Sequence, residues 1–266
     1  IPFAHVEGPF LSPDDGPRGA HPRAHVRPLD IAEVRRWQDA SGGLVGLLTI
    51  SPHDADAPAF IRESAALGVR VALGHTHATG EQIRAAADAG ATLSTHLGNG
   101  AAAMLPRHPN FIWAQLAEDR LAASFIADGH HLPADAFTAM LRAKGLDRAL
   151  LVSDATALGG MPPGVYDQPI GGRVELTAEG RLGTVGTPYL AGAARPLKDG
   201  VAIAARMANL SLSDALRLAT ENPGRFVGDR GRLGVGARAD LVQFAWKPGD
   251  ATLDIRRAIV SGRELR

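Results

Sequence analysis

Residues 71–99 constrain the fold of this chain more than any other stretch. An apolar run ends at Gly74-His75, and a second one ends at His96. Between them Ile83, Ala86, Ala87 and Ala89 recur at near-helical spacing until Gly90. Short apolar runs read as strands and the spaced segment as a helix, so the stretch predicts strand, helix, strand. Each of these strands carries a histidine at its carboxyl end. In a parallel α/β barrel those ends line the mouth where chemistry takes place. Two imidazoles arriving from neighbouring strands are the usual start of a catalytic metal site.

The same rhythm runs on both sides of this stretch. Further strands are predicted at 1–7, 44–50, 121–127 and 149–153. Helices are predicted at 31–40, 58–67, 111–118 and 134–144, the first capped by Asp30 and the last opened by Pro133. In the first helix Ile31, Val34 and Trp37 fall on one face. Strands alternating with helices at this spacing indicate a parallel sheet. The long polar loop 11–28 has the length of a lid or site wall. After Asp154 the rhythm breaks. Residues 170–184 predict a hairpin turning at Ala178-Glu179-Gly180. Helices follow at 198–208 and 213–219, with Ser213 as cap and Asn222-Pro223 as stop. Strands at 239–245 and 255–260 form a small β appendage. The expected division is a barrel domain over 1–225, with the hairpin as an insertion near 170–185, and C-terminal strands over 226–266.

Composition removes whole classes of function. Lys+Arg and Asp+Glu both number 28, so no basic field draws in nucleic acid or a membrane surface. Without cysteine, a metal must sit on His, Asp or Glu. No apolar run approaches the roughly 20 residues of a membrane span, and no leader pattern is present, so the cytoplasm is the expected location. The chain opens on Ile1, inside a predicted strand, which implies a preceding segment.

The predicted strand ends carry Glu7, His75, His96, His131 and Asp154. Taken singly, each has an ordinary reading as an ion pair or a satisfied hydrogen-bonding group. Together, at one end of successive strands, they point to a reaction centre. A carboxylate and two imidazoles would hold a divalent metal with a position open for water. Zn²⁺ suits such ligands best, and Fe²⁺ or Mn²⁺ also fit. Asp154 could take a proton from that water and return it to a leaving amine. His131 could hold the scissile carbonyl. His5 lies one layer behind Glu7 on the same strand face, a supporting position. His77, past the strand end, reads as a surface histidine or as a residue lining the mouth rather than as a ligand. His21, His25 and His108 lie on loops.

These residues occur in an ordered set of motifs. They are His5-Val6-Glu7-Gly8-Pro9-Phe10, Gly19-Ala20-His21, Gly74-His75-Thr76 and Thr95-His96-Leu97 with Asn99. Later come Ala127-Asp128-Gly129 with His131, Leu151-Val152-Ser153-Asp154-Ala155, Leu190-Ala191-Gly192 and Asn222-Pro223. In order and spacing the chain resembles the N-acetylglucosamine-6-phosphate deacetylase family of the amidohydrolase superfamily. The resemblance implies a metal-dependent (β/α)₈ barrel with a small β-sandwich built from both termini. The first two barrel strands and half the sandwich belong to a family segment that this chain does not carry.

The resemblance also implies roles. Glu7, His75 and His96 would be the metal ligands and Asp154 the general base and acid. Ala20, His21, Asn99, Gly100, Asp128, His131, Leu190, Ala191 and Gly192 would contact substrate. Arg107 would hold a sugar phosphate across a homodimer. The implied reaction gives glucosamine 6-phosphate and acetate from N-acetylglucosamine 6-phosphate. Two local differences concern the pocket. Gly98-Asn99-Gly100-Ala101 stands where the family has an aromatic residue followed by Asn-Ala-Met, and Ala193 stands where it has serine. They leave open another N-acyl sugar or a cyclic amide as substrate. A non-catalytic fragment is the reading from a different class.

Overall fold

The structure, a computed structural model, describes residues 1–228 and 230–265. Six parallel strands form one sheet in chain order: β1 (Ala4–Glu7), β2 (Val45–Ile50), β3 (Arg70–Leu73), β4 (Leu93–Ser94), β5 (Ala122–Ile126) and β6 (Ala149–Val152). Five helices alternate with them: α1 (Ile31–Ser41), α2 (Ala57–Ala66), α3 (Gly80–Asp88), α4 (Phe111–Ala117) and α5 (Ala134–Lys144). The predicted βα rhythm is the one observed. The chain divides into two compact units, and the division falls inside β5 between Ser124 and Phe125.

In the first unit, residues 1–124 with 168–172, side-chain chemistry sets the helix starts. The Asp30 carboxylate accepts the Ala32 N–H at 2.8 Å, and Gly42 ends α1 in the left-handed region at φ +65°. Thr79 and Gln82 cap each other's backbone N–H groups at the start of α3. Asn110 accepts from Ile112 and Trp113 at the start of α4. The face of the strands turned to the helices is apolar. Leu48, Ile50, Val71 and Leu73 meet Phe60 and Ile61 of α2, Ile83 and Ala86 of α3, and Val34 of α1. Ile31 and Trp37, expected on the face of Val34, pack against this core. The register pairs Glu7 with Thr49 and Leu73 with Ser94, so the ends of β1, β3 and β4 lie side by side with β2 between the first two.

In the second unit, residues 125–167 with 173–266, the Phe125 and Phe137 rings pack edge to face at 5.9 Å. The expected hairpin is part of a three-stranded sheet: β7 (Gly164–Gln168), β8 (Gly172–Leu176) and β9 (Leu182–Thr184). β7 escaped prediction because Gly-Val-Tyr-Asp-Gln is flanked by prolines and glycines that read as loop. Helices α6 (Leu197–Met207), α7 (Leu212–Ala219) and α8 (Glu221–Gly224) follow. The cap of α7 is Ser211 and not Ser213. Its hydroxyl bonds the Asp214 carboxylate at 2.6 Å and accepts the Asp214 N–H at 3.1 Å. The Ser-Leu-Ser-Asp spacing is the start signal that a choice of Ser213 overlooks. Asn222-Pro223 does not end the helical path either. Proline is accepted early in the short α8, where its missing N–H costs nothing. Strands β10 (Leu241–Ala245), β11 (Asp254–Val260) and β12 (Arg263–Glu264) form an antiparallel sheet near the carboxyl end.

Candidate metal centre and neighbouring site residues

Three predicted site residues leave their strands in an unusual backbone conformation. His75 follows β3 at φ +49°, His96 follows β4 at φ +29°, and Asp154 follows β6 at φ +49°. Among the described residues, only Asn209 and Ser261 are further non-glycine residues with positive φ. Such positions cost about 1–3 kcal/mol and persist where the surroundings impose them, which is often at a functional site. Gly74 shows how tightly one of these turns is packed. A Cβ there would come within 2.9 Å of Thr49 Cγ2 and of Thr95 Cβ.

The first unit gathers Glu7, His75 and His96 around one point. His75 Nε2 lies 2.9 Å from Glu7 Oε1, His96 Nε2 lies 3.5 Å from the same oxygen, and the two Nε2 atoms are 3.2 Å apart. Both histidines are buried and Glu7 is partly so. The two imidazole planes stand at 88° with centroids 4.9 Å apart. His21, from the loop after β1, brings its Nε2 to 3.1 Å from Glu7 Oε1.

Protonation follows from the partners. His75 Nδ1 faces the Pro17 carbonyl at 2.8 Å. A carbonyl only accepts, so Nδ1 carries the proton and Nε2 presents a lone pair. Burial, with His96 and His21 nearby, keeps the His75 imidazole below its ordinary pKa despite Glu7. Burial pushes the Glu7 carboxyl up, but hydrogen bonding from the surrounding imidazoles, His21 first, outweighs it and holds it well below the usual carboxylate range. The resting state is therefore a carboxylate facing a neutral imidazole, with lone pairs converging. A cation resolves that arrangement. A tetrahedral ion with bonds of ~2.1 Å spaces its ligands ~3.4 Å apart. The separations here, 2.9, 3.2 and 3.5 Å, bracket that value. The donor set thus fits a divalent metal, with His75 already in the ligand tautomer.

Supporting residues line up behind the triad. His5 Nε2 meets Thr49 Oγ1 at 2.7 Å, and Thr49 Oγ1 meets Thr95 Oγ1 at 2.7 Å. His5 thus bonds Thr49 and not a member of the triad. The Ser124 hydroxyl accepts the His96 N–H at 2.8 Å. Thr95 stands in the sequence motif only as the neighbour of His96, and Thr49 stands in none, although a hydroxyl inside an otherwise apolar strand was the available signal. Pro17 left no signal, because its contribution is a backbone carbonyl. His77 is half exposed and hydrogen-bonds Ser12 Oγ through Nδ1 at 2.6 Å, outside the triad. His25 and His108 are exposed on their loops.

Ala20 and His21 share the loop after β1, while Asn99 and Gly100 follow His96 directly. Asn99 turns its side-chain amide back to the His96 carbonyl at 3.1 Å. Arg107 is exposed before α4.

In the second unit, Asp128 and His131 form a buried pair. His131 Nδ1 donates to Asp128 Oδ2 at 2.7 Å, while Asp128 Oδ1 accepts the His130 and His131 N–H groups. Burial raises the Asp128 carboxyl, and these bonds outweigh it and bring it down to about 2. Both of its oxygens are thus engaged in holding His131. Asp154 is exposed at the end of β6. The next residues bind the strip 190–193: Ala155 bridges Ala193, and the Thr156 N–H donates to the Ala193 carbonyl at 2.8 Å. Gly192 permits this approach, since a Cβ on it would lie 2.5 Å from Thr156 Cγ2. Leu190, Ala191 and Gly192 therefore lie beside the segment that carries Asp154.

The amidohydrolase family model matches residues 1–265. This chain belongs to the amidohydrolase family. N-acetylglucosamine-6-phosphate deacetylase of Bacillus subtilis (strain 168) is 33% identical over 90% of this chain and 60% of its own length. N-acetylgalactosamine-6-phosphate deacetylase of Shewanella sp. (strain ANA-3) is 34% identical over 92% of this chain and 60% of its own length. The crystal structure of N-acetyl-D-glucosamine-6-phosphate deacetylase from Mycobacterium smegmatis superposes with a TM-score of 0.89 at 34% identity. That match covers 100% of this chain and 69% of the solved one. The chain therefore spans about 60% of those two curated relatives. Among the described residues no helix is long and apolar enough to cross a membrane.

Proposed function

We propose that this chain carries the reaction centre of a metal-dependent deacetylase acting on an N-acetyl amino sugar phosphate. Its first candidate substrate is N-acetylglucosamine 6-phosphate, which would give glucosamine 6-phosphate and acetate. The observation that carries this reading is the convergence of Glu7, His75 and His96, whose donor atoms all lie within 4.8 Å of one another. The similar deacetylases supply the substrate class. The six-stranded sheet is read as part of a (β/α)₈ barrel, and β10–β12 as part of a small β-sandwich.

Glu7, His75 and His96 would hold the ion, Zn²⁺ by preference. A divalent ion held there supplies Lewis acidity and brings the pKa of water towards neutrality. Asp154 takes the proton of the attacking water and returns it to the leaving amine. His131, held through Nδ1 by Asp128, donates from Nε2 to the acetyl oxygen as charge develops on it, acting as an imidazolium whose charge Asp128 balances. Ala20, His21, Asn99, Gly100 and the strip 190–192 bind the sugar. Arg107 holds the phosphate from a neighbouring subunit of a homodimer.

The test is acetate release from N-acetylglucosamine 6-phosphate with Zn²⁺, Mn²⁺ or Fe²⁺ supplied. Asp154→Asn should lower turnover by about 10²–10⁴-fold and leave metal content unchanged. Full activity in that variant would overturn the role of Asp154. A second reading, the galactosamine epimer, is favoured by the Shewanella relative. Higher kcat/KM on N-acetylgalactosamine 6-phosphate would select it.

A further inference from the structure

Two glycines press against the ring of His75. Gly19 stands at φ +60° in the loop after β1, and a Cβ on it would lie 2.9 Å from His75 Cε1 and 3.2 Å from Nδ1. Gly100 stands at φ +57° in the loop after β4, and a Cβ on it would lie 2.6 Å from Nδ1 and 2.9 Å from Cε1. Both approach the same ring edge, the one that donates to the Pro17 carbonyl. Nε2, the other ring neighbour of Cε1, points to Glu7 and His96. The ring has little room to retreat, because His21 and His96 each pack edge-on against it, at 4.6 and 4.9 Å. The two loops also meet: a Cβ on Gly16 would lie 2.8 Å from Ala102 Cα.

We infer that Gly19 and Gly100 are positioning residues that set where His75 Nε2 presents its lone pair to a divalent cation. The inference rests on the metal reading of the triad. A methyl group at either position must displace the imidazole, and Nε2 with it, or displace the loop that carries the glycine. Metal–ligand distances tolerate about 0.2 Å, so either response weakens binding. Groups that orient a ligand from behind typically control metal affinity by about 10–100-fold.

A matched control exists within the chain. Gly42 has φ +65°, close to the other two, and a Cβ there would meet nothing within 4 Å. Gly42→Ala therefore carries the same backbone strain without the ring contact. Zn²⁺ affinity is measured by competition with a chromophoric chelator, and Co²⁺ reports ligand geometry through its visible spectrum. Gly19→Ala and Gly100→Ala should each bind Zn²⁺ about 10–100-fold more weakly and shift the Co²⁺ bands, while Gly42→Ala matches the wild type.

If the two variants bind like the wild type, or if Gly42→Ala loses as much, the positioning role is wrong and the metal site stands. Should the wild-type chain bind neither ion, the metal reading itself fails and takes this inference with it. Should Gly19→Ala and Gly100→Ala both fail to fold while Gly42→Ala folds, the glycines serve folding and the positioning role is overturned.

Discussion

His75 and His131 are both buried imidazoles with Nδ1 engaged, yet their partners differ in kind. His75 donates to the backbone carbonyl of Pro17 at 2.8 Å, and His131 donates to the Asp128 carboxylate at 2.7 Å. Both partners hold an Nδ1–H. Only the carboxylate adds a full negative charge that stabilises an imidazolium formed during reaction. A neutral carbonyl leaves Nε2 as a lone pair, which suits a ligand. A carboxylate suits a ring that donates to developing negative charge. Under the proposed function, the two environments suit one histidine to a cation and the other to an oxyanion.

The strongest way to break this assignment is to replace each ring by a neutral amide. His75→Gln should abolish stoichiometric Zn²⁺ binding and, with it, turnover. His131→Gln should keep Zn²⁺ while kcat falls by about 10²–10⁴-fold. Metal content measured beside acetate release decides the matter. Loss of Zn²⁺ from His131→Gln, or its retention by His75→Gln, would dissolve the distinction.

Much of this was legible in the residues because strand ends have a simple grammar. An apolar run stopped by Gly74-His75, or ended by His96, declares where a side chain leaves the sheet, and the parallel fold brings such ends together. The supporting partners were harder to read. Pro17 acts through its carbonyl, and any residue has one. Gly19 and Gly100 act through what they lack, and a glycine in a loop ordinarily signals only a turn. Asp128 was read as a substrate contact. Its spacing of three from His131 also fits the turn it makes, with one oxygen on two backbone N–H groups and the other on the ring. Outside the six-stranded sheet, β7 and β12 were missed because short strands rich in glycine and charge carry little periodicity.

The second prediction isolates the carboxylate. Asp128→Asn preserves the shape of the turn and its acceptor oxygen but removes the charge behind His131. Turnover should fall by about 10²-fold, towards the lower end of what a proton-handling group contributes. Zn²⁺ affinity should not change. An unchanged kcat would mean that His131 needs orientation from Asp128 and not charge.

The smallest effect is on stability, and its sign follows from the direction of the shift. Asp128 is lowered from 3.8 to about 2 in the folded chain. A carboxyl depressed on folding stabilises above its unfolded pKa, and the gain disappears as pH falls through the folded one. The contribution should therefore be complete above about pH 4 and lost towards pH 2, an effect of about 2 kcal/mol. Glu7 is lowered as well, so acid unfolding should survive in Asp128→Asn. What should vanish is only the part of the slope that Asp128 supplies. Urea midpoints of the metal-free chain, compared between pH 6 and pH 2 for wild type and variant, measure that part. Parallel curves would mean that the short contact to His131 contributes nothing net. The carbonyl behind His75 has no charge to titrate, so in this pH window only the His131 partnership can show such a difference.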